Sequence, residues 1–209
     1  MKRTMILSAL LGILLAACSP RDKQQLSTST AGIAGASDVL AEKNTLIERG
    51  KYLVTTSLCH DCHTPKVFGP QGEPMPDSTR LLSGHPAELS YPDWTPADLE
   101  KRNIITSTNP MLTAWAGPWG VSFTANLTPD TSTGIGEWTE ESFIQALRTG
   151  KHQGQPNGRD ILPPMPWQFI GQMTDDDLKA VWSYLRSIPA TKNQVPFPVP
   201  PRAPIAAAK

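Results

Sequence analysis

The sequence predicts an all-α domain of short helices joined by long, stiff loops. Apolar residues recur at the 3.6-residue helical period in three separate stretches, and no stretch alternates convincingly as a half-buried strand would. Proline supplies 21 of the 209 residues, many of them between or after those stretches. An apolar content of 39% is somewhat low for a globule of this length, which favours loops over a large sheet. The formal net charge of zero gives no basic stripe for nucleic acid.

Residues 1–17 read as an export signal. Lys2 and Arg3 precede an apolar run from Met5 to Ala17, about twelve residues where a membrane span needs roughly 20. The run "LLAACS" resembles the bacterial lipoprotein signal, and that resemblance makes Cys18 a lipid anchor in the cell envelope. Ser19, in place of the aspartate tied to inner-membrane retention, slightly favours the outer membrane. Loss of Lys2 and Arg3 leaves a slight acidic excess. Residues 18–40 are small and polar without sustained periodicity, so they read as a flexible tether reaching roughly 25 Å.

The folded domain is expected over residues 41–190. Its first helix begins near Ala41, with Leu46, Ile47, Gly50, Leu53 and Val54 on one face. Gly50 in that stripe weakens the helix by about 1 kcal/mol against alanine, which a close approach by another helix would explain. A loop insertion rich in Pro, Gly and Trp follows at about 64–138, broken by a short helix with Thr95 as cap, Pro96 first and Asp98 third. In "TEESFIQALRTG", Thr139 caps a helix that Gly150 ends. The final helix is capped by Thr174, with Asp177 at the capping-box position and two further acids at its positive end. Leu178, Val181, Leu185 and Ile188 form its stripe, Trp182 and Tyr184 flank it, and Pro189 stops it. Residues 191–209 read as a Pro-rich, extended tail lying on the surface.

The chemistry lies in "SLCHDCHTP", Ser57 to Pro65. A redox dithiol would open a helix within a βαβ pattern, whereas Cys59 and Cys62 close a helix in a chain without evident strands. A zinc site needs more ligands near His63, and His60, His85 and His152 do not supply the usual spacing. Cys-x-x-Cys-His is the pattern of covalent haem attachment, the two thiols becoming thioethers and His63 an axial ligand of iron. A flat apolar cofactor also makes good a modest core. The sixth ligand is read as Met165, braced by prolines in "ILPPMPWQF", ahead of Met75, Met111 and Met173. Thioether ligation would favour the reduced state and leave no open position on iron. His85 and His152 read as surface-loop residues.

CxxCH near the end of a first helix, a methionine loop and the terminal "DLKAVWSYLRSIP" helix together resemble a class I c-type cytochrome. The resemblance implies a cytochrome c fold around one covalent haem c, with the first and last helices crossing where Gly50 meets Tyr184. It also implies that Trp138 and Trp167 wall the haem and that Arg148, Lys151 or Arg159 pair with its propionates. "NLTPDTSTGIGEWT" and "PPMPW" are similar to cytochrome subunits of periplasmic alcohol- and sugar-acid-oxidising dehydrogenases. Those subunits often carry several haem motifs; this chain carries one, and its segment from Leu81 to Phe123 exceeds a minimal class I domain. The implied function is an envelope-anchored electron carrier, not itself an enzyme, between a donor dehydrogenase and an acceptor oxidase or cytochrome. The alternatives are the electron-accepting subunit of a dehydrogenase complex, and a haem sensor or peroxidase with open iron.

Overall fold

The computed structural model describes residues 24–89, 99 and 101–201, with side chains from Asp38 onward. The expected signal segment, Cys18, the start of the helix expected at Thr95 and the last eight residues of the tail lie outside the described residues. The chain divides between Leu40 and Ala41 into two units. Among its described residues the first unit contributes only the opening turns of α1 (Gln24–Thr56). The helix therefore starts well before Ala41, and the reading of a coil from Gln24 is corrected. That stretch holds no proline, and extending a nucleated helix costs far less than starting one.

In the second unit α1 is followed by α2 (Cys59–His63), α3 (Glu140–Thr149), α4 (Trp167–Ile170) and α5 (Asp175–Ser187). The strand-free loop expected between α2 and α3 is corrected as well. β1 (Lys66–Phe68) pairs antiparallel with β2 (Pro74–Pro76), Val67 facing Met75. β3 (Ser107–Thr108), β4 (Ala114–Gly117) and β5 (Gly120–Phe123) form a second antiparallel sheet in that order. Strands of two to four residues are too short to show alternation, and β2 begins and ends in proline.

The core gathers on α1, α3 and α5. Leu53 and Val54 of α1 pack with Phe143, Ile144 and Leu147 of α3 and with Leu178, Val181 and Leu185 of α5. Each such buried side chain contributes about 1.5–3 kcal/mol. Local chemistry sets the helix ends. Thr139 and Ser142 form a reciprocal capping box on α3, and Gly150 closes it in the left-handed conformation, its N–H donating to the Ala146 carbonyl. On α5 the Thr174 hydroxyl accepts from the Asp177 N–H at 3.1 Å, while the Asp177 carboxylate pairs with Arg49 of α1 at 2.9 Å.

The described part of the tail is a strap rather than a loose appendage. Asn193 donates to the carbonyls of Ser83 (2.7 Å) and His85 (2.8 Å) and accepts from the Ala87 N–H (3.0 Å). Further on, Val199 bridges antiparallel to Val121 of β5. His85 itself is fully buried, not a surface residue. Its ring nitrogens lie 3.0 Å from the Thr113 hydroxyl and 3.2 Å from the Leu89 carbonyl, and its ring tilts against Phe123. His152 is half-buried, edge-on to Trp138 at 5.2 Å.

Candidate functional site

The helix of α1 stops at Thr56, and Leu58 turns the chain with a left-handed φ of 61° before α2 restarts at Cys59. The cysteine motif thus forms its own five-residue helix instead of the end of α1. Cys59 and Cys62 are both half-buried free thiols. Burial, the largest cause, pushes the Cys59 thiol up to about 11 and moves Cys62 upward too. A redox dithiol needs its thiolate favoured; here both thiols are held neutral.

His63 is buried, and its Nδ1 lies 2.8 Å from the Ala125 carbonyl oxygen. A carbonyl only accepts, so Nδ1 carries the proton and the Nε2 lone pair is left free. Burial keeps the imidazole below the ordinary histidine range, partly offset by the Ala125 carbonyl and reinforced by the charges of His60 and Lys66. The support around this histidine comes from either end of the long insertion. The Gly84 N–H donates to the His63 carbonyl at 2.8 Å, and the His85 N–H to the Thr124 carbonyl at 2.9 Å. Gly84 has φ +79°, and a methyl there would lie 2.5 Å from the Thr124 oxygen and 2.6 Å from the Ala125 carbonyl carbon. Only glycine lets that backbone come so near the acceptor of His63.

Met165 is half-buried against the core and lines a cleft of about 310 Å³ with Ile161, Pro163, Pro164, Trp167 and Phe169. Its loop is tied down by Ser122 of β5, whose hydroxyl donates to the Pro163 carbonyl at 2.6 Å. One short stretch, residues 122–125, therefore holds both the histidine and the methionine loop. Met173 also packs on the core, Met75 is largely exposed, and Met111 is half-buried.

The remaining candidates separate. Trp167 lies over Gly150, where an added methyl would come within 2.3 Å of its ring, and it lines the cleft. Trp138 packs on the core from its half-buried position. Arg148 is occupied, donating to the Gly171 carbonyl and pairing with Asp175 at 2.6 Å, and Lys151 pairs with Asp160 at 2.6 Å. Arg159 is exposed and has no anionic partner among the described residues, so it is the one of the three basic side chains left available to a propionate. The sequence reading missed Ala125, Gly84, Ser122 and Lys66. Only Lys66, placed three residues after the motif, left a residue-type signal that could have been noticed.

The donor set suits covalent haem: two neutral thiols on one short helix and a neutral imidazole with a free Nε2. Among the described residues no group of three or more His, Cys, Asp or Glu could hold a metal ion, and no helix is long and apolar enough to cross a membrane.

Comparison with known proteins agrees with this chemistry. The chain is 34% identical over 96 residues to the fructose dehydrogenase cytochrome subunit of Gluconobacter japonicus, covering 43% of this chain and 19% of that protein. It is 27% identical to the gluconate 2-dehydrogenase cytochrome c subunit of Pantoea cypripedii, covering 77% and 29%. It is 26% identical to the cytochrome c subunit of the quinone alcohol dehydrogenase of Gluconobacter oxydans (strain 621H), covering 72% and 23%. The matched segment is under a third of each of these relatives. The family model for cytochrome c matches residues 47–189, and the chain belongs to the cytochrome c family, which implies covalently bound haem c.

Proposed function

We propose that this chain is an envelope-anchored cytochrome with a single haem c, passing one electron at a time between redox partner proteins. The observation that carries the reading is the α2 helix, on which Cys59, Cys62 and a neutral, Ala125-tied His63 form a complete attachment set. When bound, haem supplies the one-electron change. The chain would do the rest: Cys59 and Cys62 would hold the ring covalently, and His63 and Met165 would ligate its iron. Trp138 and Trp167 exclude water from the ring, and Arg159 meets a propionate. With His63 and Met165 both bound, iron would be closed to small ligands, which separates a carrier from a sensor or peroxidase. The lipid on Cys18, in the periplasm-facing envelope and on the outer membrane by preference, keeps the domain near its partners.

A second reading is favoured by the three relatives described above, each named as a cytochrome subunit of a dehydrogenase. In it, this chain is the electron-accepting subunit of a periplasmic dehydrogenase complex. One preparation tests both. Protein purified from its own envelope should carry one haem per chain that survives denaturing electrophoresis, with the optical spectrum of a six-coordinate reduced c-type haem. Co-purification of a dehydrogenase catalytic subunit in fixed ratio selects the second reading. Absence of covalent haem defeats both.

A further inference from the structure

Lys66 is buried with 5% of its surface exposed, an uncommon position for a lysine. Its ammonium donates to three backbone carbonyls: His60 at 3.0 Å, Asp61 at 2.8 Å and Thr64 at 2.7 Å. An ammonium has three N–H donors, and all three are used. Two of the carbonyls belong to α2 and the third to its cap residue Thr64, whose own N–H also donates to the His60 oxygen at 3.2 Å, so the ammonium sits at the negative end of the α2 turn. Lys66 forms no ion pair among the described residues. The cation thus sits against the turn that carries Cys62 and His63, held by carbonyls and not by a close ion pair, with the Asp61 charge on the same turn acting on it from farther off.

The neighbourhood gives this charge a long reach. The Thr64 hydroxyl that accepts from the Leu82 N–H also lies 2.9 Å from His60 Nδ1, which braces the turn that the ammonium holds. Thr64 is itself fully buried, and a charge enclosed in this way is little screened by salt.

We propose that Lys66 is a positioning residue that also sets the redox poise: its ammonium pins the α2 turn and raises the potential of the haem attached there. The inference rests on covalent haem at Cys59 and Cys62. On reduction one electron arrives from the donor protein and the positive charge of the site falls by one; on oxidation it leaves to the acceptor and the charge returns. A fixed cation nearby favours the less positive, reduced state. Replacing it with a neutral side chain removes that bias and leaves three carbonyl dipoles unopposed, which favours the oxidised state further.

The test is an equilibrium redox titration of purified wild-type holoprotein and of Lys66→Met, Lys66→Gln and Lys66→Arg. Haem content is read on denaturing gels and the far-red methionine band in the oxidised spectrum. The expected result is a lower midpoint potential in Lys66→Met and Lys66→Gln with covalent haem and band intact, a value near wild type in Lys66→Arg, and shifts that persist at high salt. Lys66→Gln keeps a donor for the turn, so it serves where Lys66→Met does not fold. Unchanged potentials in both neutral variants, or an equal fall in Lys66→Arg, overturn the charge proposal while leaving the haem reading standing. Wild-type protein without covalent haem overturns both.

Discussion

Gly50 of α1 lies directly against the Ala180 carbonyl of α5: a methyl built on Gly50 would fall 1.9 Å from that oxygen and 2.8 Å from the Tyr184 Cβ. The two helices meet backbone to backbone, which no larger residue permits. Gly50→Ala gains about 1 kcal/mol of helix propensity, but it must push α1 off α5, and such overpacking costs typically about 1–3 kcal/mol. The expected outcome is a net loss, seen as a fall of some degrees in the thermal midpoint of holoprotein, at about 2–4 °C per kcal/mol for this size. Arg49→Ala, one residue away, removes the exposed pair with Asp177 and the stacking of Arg49 over the Tyr52 ring and should cost about 1 kcal/mol. A Gly50→Ala midpoint at or above wild type would show that the helices separate freely.

How far this fold was legible depended on how local each signal is. Thr139, Gly150 and Thr174 announce helix ends because a cap is decided within four residues. Gly50 was legible as a misfit in an apolar stripe, and the structure supplies its partner. Cys59, Cys62 and His63 state their chemistry within five residues. Ala125 left no trace, because its role is played by a backbone oxygen that any residue could offer. Ser122 is equally silent, its acceptor being the Pro163 carbonyl 41 residues away. His85 was misread because a histidine's burial is fixed by its tertiary partners, here Thr113 and Leu89, and not by its neighbours in sequence.

Haem attachment is predicted to need both thiols. In Cys59→Ser with Cys62→Ser the chain should yield no haem that stays with it under denaturing electrophoresis. The core should also lose order, because a cofactor bound only by the folded state stabilises it. Circular dichroism and haem staining of the same preparation check the two halves. Covalent haem retained in the double variant would place the attachment elsewhere.

The anchor is predicted from "LLAACS". Cys18→Ser should leave the protein in the soluble envelope fraction or uncleaved, since the acyl chains are lost. Fractionation with mass measurement of the N-terminus decides it. A variant that is cleaved and still membrane-bound is held by some other element.

His85 should make the fold acid-sensitive above the carboxylate range. Burial, the largest cause, moves its imidazole below the usual value near 6.5, with the Leu89 carbonyl and the Glu88 charge pulling it partly back. The unfolded chain then binds a proton that the native chain resists, so stability rises with pH through this window. The contribution is complete above about pH 6.5 and is lost as pH falls towards the native value. His152 shifts the same way, by burial and by the Arg159 charge. Denaturant midpoints between pH 7.5 and 5.5 should decline, and His85→Gln should be less stable at pH 7.5 yet decline less steeply. Equal slopes in the two proteins would remove His85 as the cause.

Met165, proposed as the sixth ligand, would decide whether the iron is closed. Its loop is fixed by the Ser122 hydroxyl on the Pro163 carbonyl, and its side chain faces a cleft shared with Trp167. Methionine sulfur on ferric haem gives a weak far-red charge-transfer band, expected in wild type. In Met165→Ala the band should vanish, carbon monoxide or imidazole should bind, and the potential should fall, because a stabiliser of ferrous iron is gone. Ser122→Ala should weaken the band without abolishing it, since it loosens the loop and leaves the sulfur. Met173→Ala, which removes a half-buried packing side chain, should cost about 2–5 kcal/mol at most and keep the band. The opposite pattern, with the band lost in Met173→Ala and kept in Met165→Ala, assigns the other sulfur. If neither change matters and wild type already binds carbon monoxide freely, the iron has an open face, and the chain senses or activates small ligands instead of carrying electrons.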